Sequence, residues 1–316
     1  MPPLLPDALI DTPLKVEQTV PRAWVHKRSL DNVLVTEIRA CADDRFLCAG
    51  RLPTAHSFFN DAGRRPYEDI LFYTELGRQA SLAISHAFLN VGLDDVFIFE
   101  GSHAALTDIV WRASGESSES VAIEIHISEL ARRKNNAVAR VVTEHTMWIG
   151  AHPVFTGTGA FTIQPAAVFQ RLRKKHAIGG GQPPRVRASR PNVTISTPSR
   201  VEGTNEFAAS IVIDQTHPYF FDHPCDHVPG MLLLEACAQL AVASYGETTG
   251  VQPLGLSAYA TSFTQFVECD IPVTLTAHVN ADASLNGLPH TVSLCISQQG
   301  ALCGTTSILL ARPAGL

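Results

Sequence analysis

THPYFFDHPCDHVPGMLLLEACAQLA, residues 216–241, sets three histidines and two aspartates between His217 and His227 and runs straight into an apolar segment. From Met231 to Ala238 that segment is interrupted only by Glu235. Pro229-Gly230 just ahead of it is a helix-entry signal, because proline pre-sets φ without needing an N–H and glycine admits a close neighbour. A helix that is apolar nearly all round must be buried on most sides. A weaker copy of the stretch stands at 56–86, HSFFNDAGRRPYEDILFYTELGRQASLAISH. Aligning Glu75 on Glu235 gives an offset of 160 (235 − 75), which also brings Gln79 onto Gln239 and Ile70-Leu71-Phe72 onto Gly230-Met231-Leu232. An offset of 161 (217 − 56) pairs His56 with His217, a slip of one residue that a loop absorbs.

The flanks repeat as well. A β-like stretch precedes each helix, VLVTEIRACADDRFLCAGRL at 33–52 and FAASIVIDQT at 207–216. Alternating, β-branched segments follow each: SVAIEIHI and AVARVVTEHTMWI in the first half, then SAYATSFTQFV, PVTLTAHV, HTVSLCIS and GTTSILLA in the second. A curved antiparallel sheet wrapped round one long buried helix satisfies this pattern. The expected fold is therefore α+β, a tandem (double) hot-dog. Its halves span 1–178, with an N-terminal extension, and 194–316. Between them GGGQPPRVRASRPNV, 179–193, reads as a linker or mobile loop.

With 316 residues, 45% hydrophobic and 17% charged, the chain has ample material for a core. A formal net charge of −6 gives no support to nucleic-acid binding, whose footprint is a basic domain. No apolar run reaches the roughly 18 residues that a membrane span needs, and the proline-broken start MPPLLPDALIDTP lacks the pattern of a signal peptide. Seven scattered cysteines without a C-x-x-C pair read as reduced, mostly buried thiols, which points to the cytoplasm.

The chemistry is expected at the start of the second helix. Its first-turn amides, Gly230 and Met231, are oriented to polarise a carbonyl or hold an oxyanion. Glu235, the first candidate for the catalytic base, lies one to two turns inside, and Gln239, four residues on, shares its face and could hold that carboxylate. Asp222, His223, Asp226 and His227 precede the helix and supply candidate bases near neutral pH. The competing structural readings are a register-fixing polar pair for Glu235 and Gln239, and turn stabilisation for the aspartates. Three histidines and two aspartates also suffice for a metal, but all lie in one loop, so neither a metal nor a cofactor is assigned. In the first half Glu75 and Gln79 repeat, while Asp69-Ile70 replaces Pro-Gly and the H-x-x-x-H pair is missing. That half is read as scaffold and substrate-binding surface.

The segment HPCDHVPGMLLLEACAQLA resembles the hot-dog dehydratases of fatty-acid synthesis, with their P-G-x-L and E-A-x-A-Q helix; by spacing, however, the dehydratase histidine falls on Phe221. The chain is more similar to the A-factor biosynthesis family of γ-butyrolactone synthases, through VHKRSLDNVLVTEIR (25–39), DILFYTELGRQA (69–80) and FFDHPCDHVPGMLLLEACAQLA (220–241). This resemblance implies transfer of a β-ketoacyl group from an acyl-carrier-protein thioester, or acyl-CoA, to the hydroxyl of dihydroxyacetone phosphate. The phosphorylated ester would then close by aldol condensation to a butenolide. A phosphorylated substrate calls for cations, and the candidates are Arg78, Arg64, Arg65 and His26, with Lys27 and Arg28 beside it. An ion pair with Glu75 is the structural alternative for Arg78. The basic stretches 171–176 and 185–190 are expected to face an acidic carrier protein or water. A thioesterase or dehydratase, and a non-catalytic acyl or lactone binder, are the competing functions. Either a monomer or a homodimer fits a double hot-dog.

Overall fold

The computed structural model describes residues 14–61, 68–107, 120–173, 192–223, 225–253, 255–280 and 291–311. The expected linker falls outside it except for its last two residues, and so do Arg64 and Arg65. The chain forms two compact units, one of residues 1–98 and 104–169 and one of 99–103 and 170–316.

In the first unit, β1 (Val35–Ala40) and β2 (Arg45–Arg51) form a hairpin. They are followed by α1 (Ile70–Phe88), β3 (Val96–Leu106, of which 99–103 belong to the second unit), β4 (Ser120–Arg132), β5 (Val138–Ile149) and β6 (His152–Gln164). The antiparallel order is β1-β2-β4-β5-β6-β3. Along β4, Val121, Ile123, Ile125 and Ile127 are buried and alternate with more exposed residues, the period of a sheet wet on one face. Helix α1 is buried from Ile70 to Leu76 and touches β1, β2, β5 and β6.

In the second unit, α2 (Ala166–Arg173) ends inside the unit and is followed by β7 (Ser199–Arg200), β8 (Glu206–Ser210) and α3 (Gly230–Thr249). After α3 come β9 (Gly255–Phe263), β10 (Val273–Asn280), β11 (Thr291–Gln298) and β12 (Ala301–Ala311). The sheet order is β9-β12-β11-β10-β8-β7, and α3 packs on β8 to β12. Each unit thus wraps an antiparallel sheet round one long helix, the tandem hot-dog the sequence called for.

Three differences from the sequence reading have local causes. The stretch 33–52 is a hairpin rather than one strand, turning after Ala40 where the Cys41 N–H donates to the Arg45 carbonyl. FAASIVIDQT stops as a strand at Ser210. Beyond it Asp214 accepts the Thr216 N–H at 2.9 Å and hydroxyl at 2.6 Å, a side-chain turn that ends extended pairing. Strands β3 and β6 carry Gly101 and Pro153, Gly157 and Gly159, residues depleted in strands, which hid them from pattern reading. Gly101 is there for space, since a Cβ on it would lie 2.5 Å from the Thr261 carbonyl oxygen.

Candidate active site

The sequence repeat is a repeat of hydrogen bonds. In the first unit the His56 Nδ1 accepts the Phe58 and Phe59 N–H groups, and its Nε2 lies 3.0 Å from the Asn32 Oδ1. The Asn32 carbonyl accepts from Gln79 Nε2 at 2.8 Å, the Gln79 Oε1 accepts the Leu34 N–H, and the second Gln79 amide hydrogen goes to Glu75 Oε1 at 2.8 Å. In the second unit the same relay runs through Tyr219 and Phe220 to His217, Asn192, Gln239 and Glu235, with the Thr194 N–H on Gln239 Oε1. In both, a ring nitrogen that accepts from two backbone amides carries no proton, so the histidine is neutral and donates from Nε2. Burial lowers the pKa of His56 and of His217 accordingly. Gln79 and Gln239, candidates for substrate binding, place both amide hydrogens and the carbonyl oxygen on this relay; Asn192, from the expected linker, is part of it.

Around the two glutamates the units diverge. Glu75 is 0% exposed and receives Arg78 on both oxygens, at 2.7 and 2.8 Å, and Lys27 at 3.1 Å. Burial alone would raise its pKa, but the charges of Arg78 and Lys27 and the hydrogen bonds outweigh that and hold the carboxyl well below the usual range. The ion pair with Glu75 is thus where the structure places Arg78. Glu235 is 1% exposed, and at the position of Arg78, three residues on, the second helix has Ala238. Of the other phosphate candidates, His26 lies with its Nε2 3.0 Å from that of His86, whose Nδ1 faces the Val91 carbonyl.

The helix starts differ too. The N-cap of α1 is Asp69, whose carboxylate accepts the Leu71 N–H at 2.9 Å. The N-cap of α3, at the same offset of 160, is Pro229 and makes no side-chain cap bond (229 − 69). Among the described residues no acceptor takes the Gly230 or Met231 amide, whereas at the start of α1 Asp69 takes that of Leu71. Gly230 is packed closely, since a Cβ on it would lie 2.8 Å from the Phe99 ring.

Of the loop groups, the structure brings Asp226 and His227 together, with Asp226 Oδ1 2.6 Å from His227 Nδ1. A carboxylate only accepts, so Nδ1 carries the proton and Nε2 is the basic nitrogen of the neutral ring. Arg173, at the end of α2, donates from Nε to Asp226 Oδ2 at 2.9 Å and from Nη2 to the Asp226 carbonyl. Its Nη1 and Nη2 hold both oxygens of Glu268, at 2.8 and 2.7 Å. Burial would raise the Asp226 carboxyl, but the hydrogen bonds from His227 and Arg173, and their charges, bring it down to about 2. Of the basic stretch 171–176, Arg173 does not face outward, its side chain being 8% exposed, and 174–176 lie outside the described residues. Asp222 and His223 are half-buried, and Cys225 Sγ approaches the His223 carbonyl at 3.5 Å. The sequence did not single out Glu268, and Arg173 entered only as one residue of the basic stretch 171–176.

A family model for the A-factor biosynthesis hotdog domain matches residues 10–163 and 185–311, one domain per half. Two curated relatives bear the name 2-oxo-3-(phosphooxy)propyl 3-oxoalkanoate synthase. That of Streptomyces coelicolor is 30% identical over 93% of this chain and 93% of its own. That of Streptomyces virginiae is 28% identical over 82% of this chain and 87% of its own. Among solved structures, one described as an oleoyl thioesterase of Lactobacillus plantarum superposes with a TM-score of 0.50 at 12% identity, over 85% of this chain and 97% of that one. That likeness concerns the fold alone.

Proposed function

Because the chain belongs to the A-factor biosynthesis hotdog family, we propose that it acts as its named relatives do, as a 2-oxo-3-(phosphooxy)propyl 3-oxoalkanoate synthase. Such a product is an ester of a 3-oxo fatty acid with one hydroxyl of dihydroxyacetone phosphate. The reaction is transfer of a 3-oxoacyl group from a thioester to that hydroxyl, and the thioester is carried by an acyl carrier protein or by CoA in the cytoplasm. The observation that carries the reading is the first turn of α3, uncapped among the described residues and led by the Asp226–His227 pair, against the Asp69-capped first turn of α1.

His227 Nε2 takes the hydroxyl proton, and Asp226 stabilises the imidazolium that forms. The alcohol oxygen bonds to the thioester carbon, and the carbonyl oxygen becomes an oxyanion facing the Gly230 and Met231 N–H groups. Collapse breaks the C–S bond, and the thiolate leaves and takes up the proton. Glu235, buried and hydrogen-bonded to Gln239, is the alternative base, with His223 after it; Asp222 belongs to the same loop. For the phosphate we carry forward Arg78, which stands with Lys27 at the Glu75 carboxylate.

Turnover by Glu235→Gln and His227→Asn tests the site. The variant that removes the base loses about 10²–10⁴-fold in rate. Parent-like rates in both would overturn the assignment.

A further inference from the structure

The guanidinium of Arg173 divides itself between two carboxylates that come from different parts of the second unit. Its Nε edge and Nη2 hold Asp226, side chain and carbonyl. Its other edge grips Glu268 with two bonds. Glu268 is itself anchored, because its N–H donates to Gln298 Oε1 and its carbonyl accepts from Gln298 Nε2. The face of the guanidinium lies 4.6 Å over the Phe266 ring, whose centroid is also 4.9 Å from that of His227, at 67°. The imidazole is thus held by Asp226 at one nitrogen and by Phe266 at its side, and Arg173 touches both supports.

We propose that Arg173 and Glu268 are positioning residues for the reaction: Arg173 fixes the Asp226 carboxylate so that it holds His227 in the tautomer with Nε2 basic, and Glu268 offsets the Arg173 charge so that the imidazole can still take a proton. The inference rests on the reading of His227 as the base. A planar, bidentate donor suits the role, since it meets a carboxylate on each of two edges at once, which an ammonium does not.

The electrostatics give the two residues opposite signatures. Among the described residues, the charged or titratable groups that act on Asp226 or Glu268 or on their neighbours include Arg173 from α2, Cys225 and His227 from the loop before α3, Cys269 and Asp270 from the segment after β9, and Cys303 from β12. Removing the Arg173 cation leaves carboxylates facing the imidazole and favours the imidazolium. Removing the Glu268 charge leaves Arg173 less compensated and disfavours it.

The test is the pH profile of kcat/KM for Arg173→Met, Arg173→Lys and Glu268→Gln in the full-length protein, with thermal midpoints in parallel. Arg173→Met keeps the apolar stem against Phe266. It lowers kcat/KM at neutral pH by about 10- to 100-fold, a part of what the base contributes, and moves the acid limb of the profile to higher pH. Glu268→Gln, which keeps shape and removes charge, moves that limb to lower pH, and Arg173→Lys restores the limb without restoring the full rate. A purely structural role would lower every rate without moving the limb, and an unmoved limb in both Arg173→Met and Glu268→Gln overturns the inference. If Arg173→Met does not fold, the direction of the Glu268→Gln shift decides alone. Parent-like activity of His227→Asn would instead remove the base assignment itself. Inactive His227→Asn with an unmoved limb in the other variants would leave that assignment standing and remove only this one.

Discussion

Pro229→Asp puts the cap of the first helix onto the second. Pro229 has the extended backbone of an N-cap, with φ −60° and ψ 139°, close to the −99° and 106° at which Asp69 caps α1. The new carboxylate would accept the Met231 N–H as Asp69 accepts that of Leu71. A good N-cap stabilises by about 1 kcal/mol, and loss of the proline's restriction of the unfolded chain costs about 0.4–1 kcal/mol. The thermal midpoint therefore moves by no more than about 4 °C. Turnover behaves differently, because the carboxylate removes one oxyanion donor and sets a negative charge where the oxyanion must form. Loss of a single such donor costs about 10²–10³-fold in kcat, and Pro229→Asp is expected to lose at least that. Pro229→Ala, without an acceptor, keeps most of the rate. The assay is thiol release from a 3-oxoacyl thioester in the presence of dihydroxyacetone phosphate, with melting curves alongside. A folded Pro229→Asp that turns over like the parent, with its carboxylate seen on the Met231 amide, would refute the reasoning.

Glu75→Gln removes the buried carboxylate that Lys27 and Arg78 both hold and is expected to cost about 3–5 kcal/mol in denaturant unfolding. The Glu75 carboxyl is held below its ordinary value of 4.5, so its contribution is present above that pH and is lost as pH falls below it. His145, buried against α1 with Nε2 3.0 Å from the Ser81 hydroxyl, is brought down by burial to about 4. The unfolded chain takes that proton near 6.5 and the folded one does not, so stability falls by about 3 kcal/mol as pH drops from about 6.5 to about 4. His145→Gln should flatten that slope in a pH series of melts. Gly230→Ala drives a methyl into Phe99 and is expected to cost about 1–3 kcal/mol, most of which Phe99→Leu in the same chain restores.

The architecture was legible because the repeat carries it. Two buried helices with Glu and Gln at one spacing, each followed by alternating segments, leave few other ways to bury both. β3 and β6 escaped because glycine and proline sit where tight backbone approach or an irregular pairing needs them, and those residues read as loop. At the site, composition showed where titratable groups crowd and could not rank them. His217, the first of the crowd, belongs to the relay that its counterpart His56 also forms. His227 stands out only once Asp226 is seen 2.6 Å away. Arg173 and Glu268 are 95 residues apart along the chain (268 − 173), and no local pattern announces a contact at that separation. The difference between the two helix starts was written in the sequence as Asp69 against Pro229, but its meaning needed the hydrogen bond to Leu71.

Thiol release and product mass measured together, with a 3-oxoacyl thioester and with dihydroxyacetone phosphate present or withheld, test the proposed activity most directly. The account predicts release that depends on the triose phosphate and a product whose mass equals the 3-oxoacyl ester of that phosphate, or the ester less one water after ring closure. Release at the same rate without the triose phosphate, giving the free 3-oxo acid, would contradict it and make the protein a thioesterase.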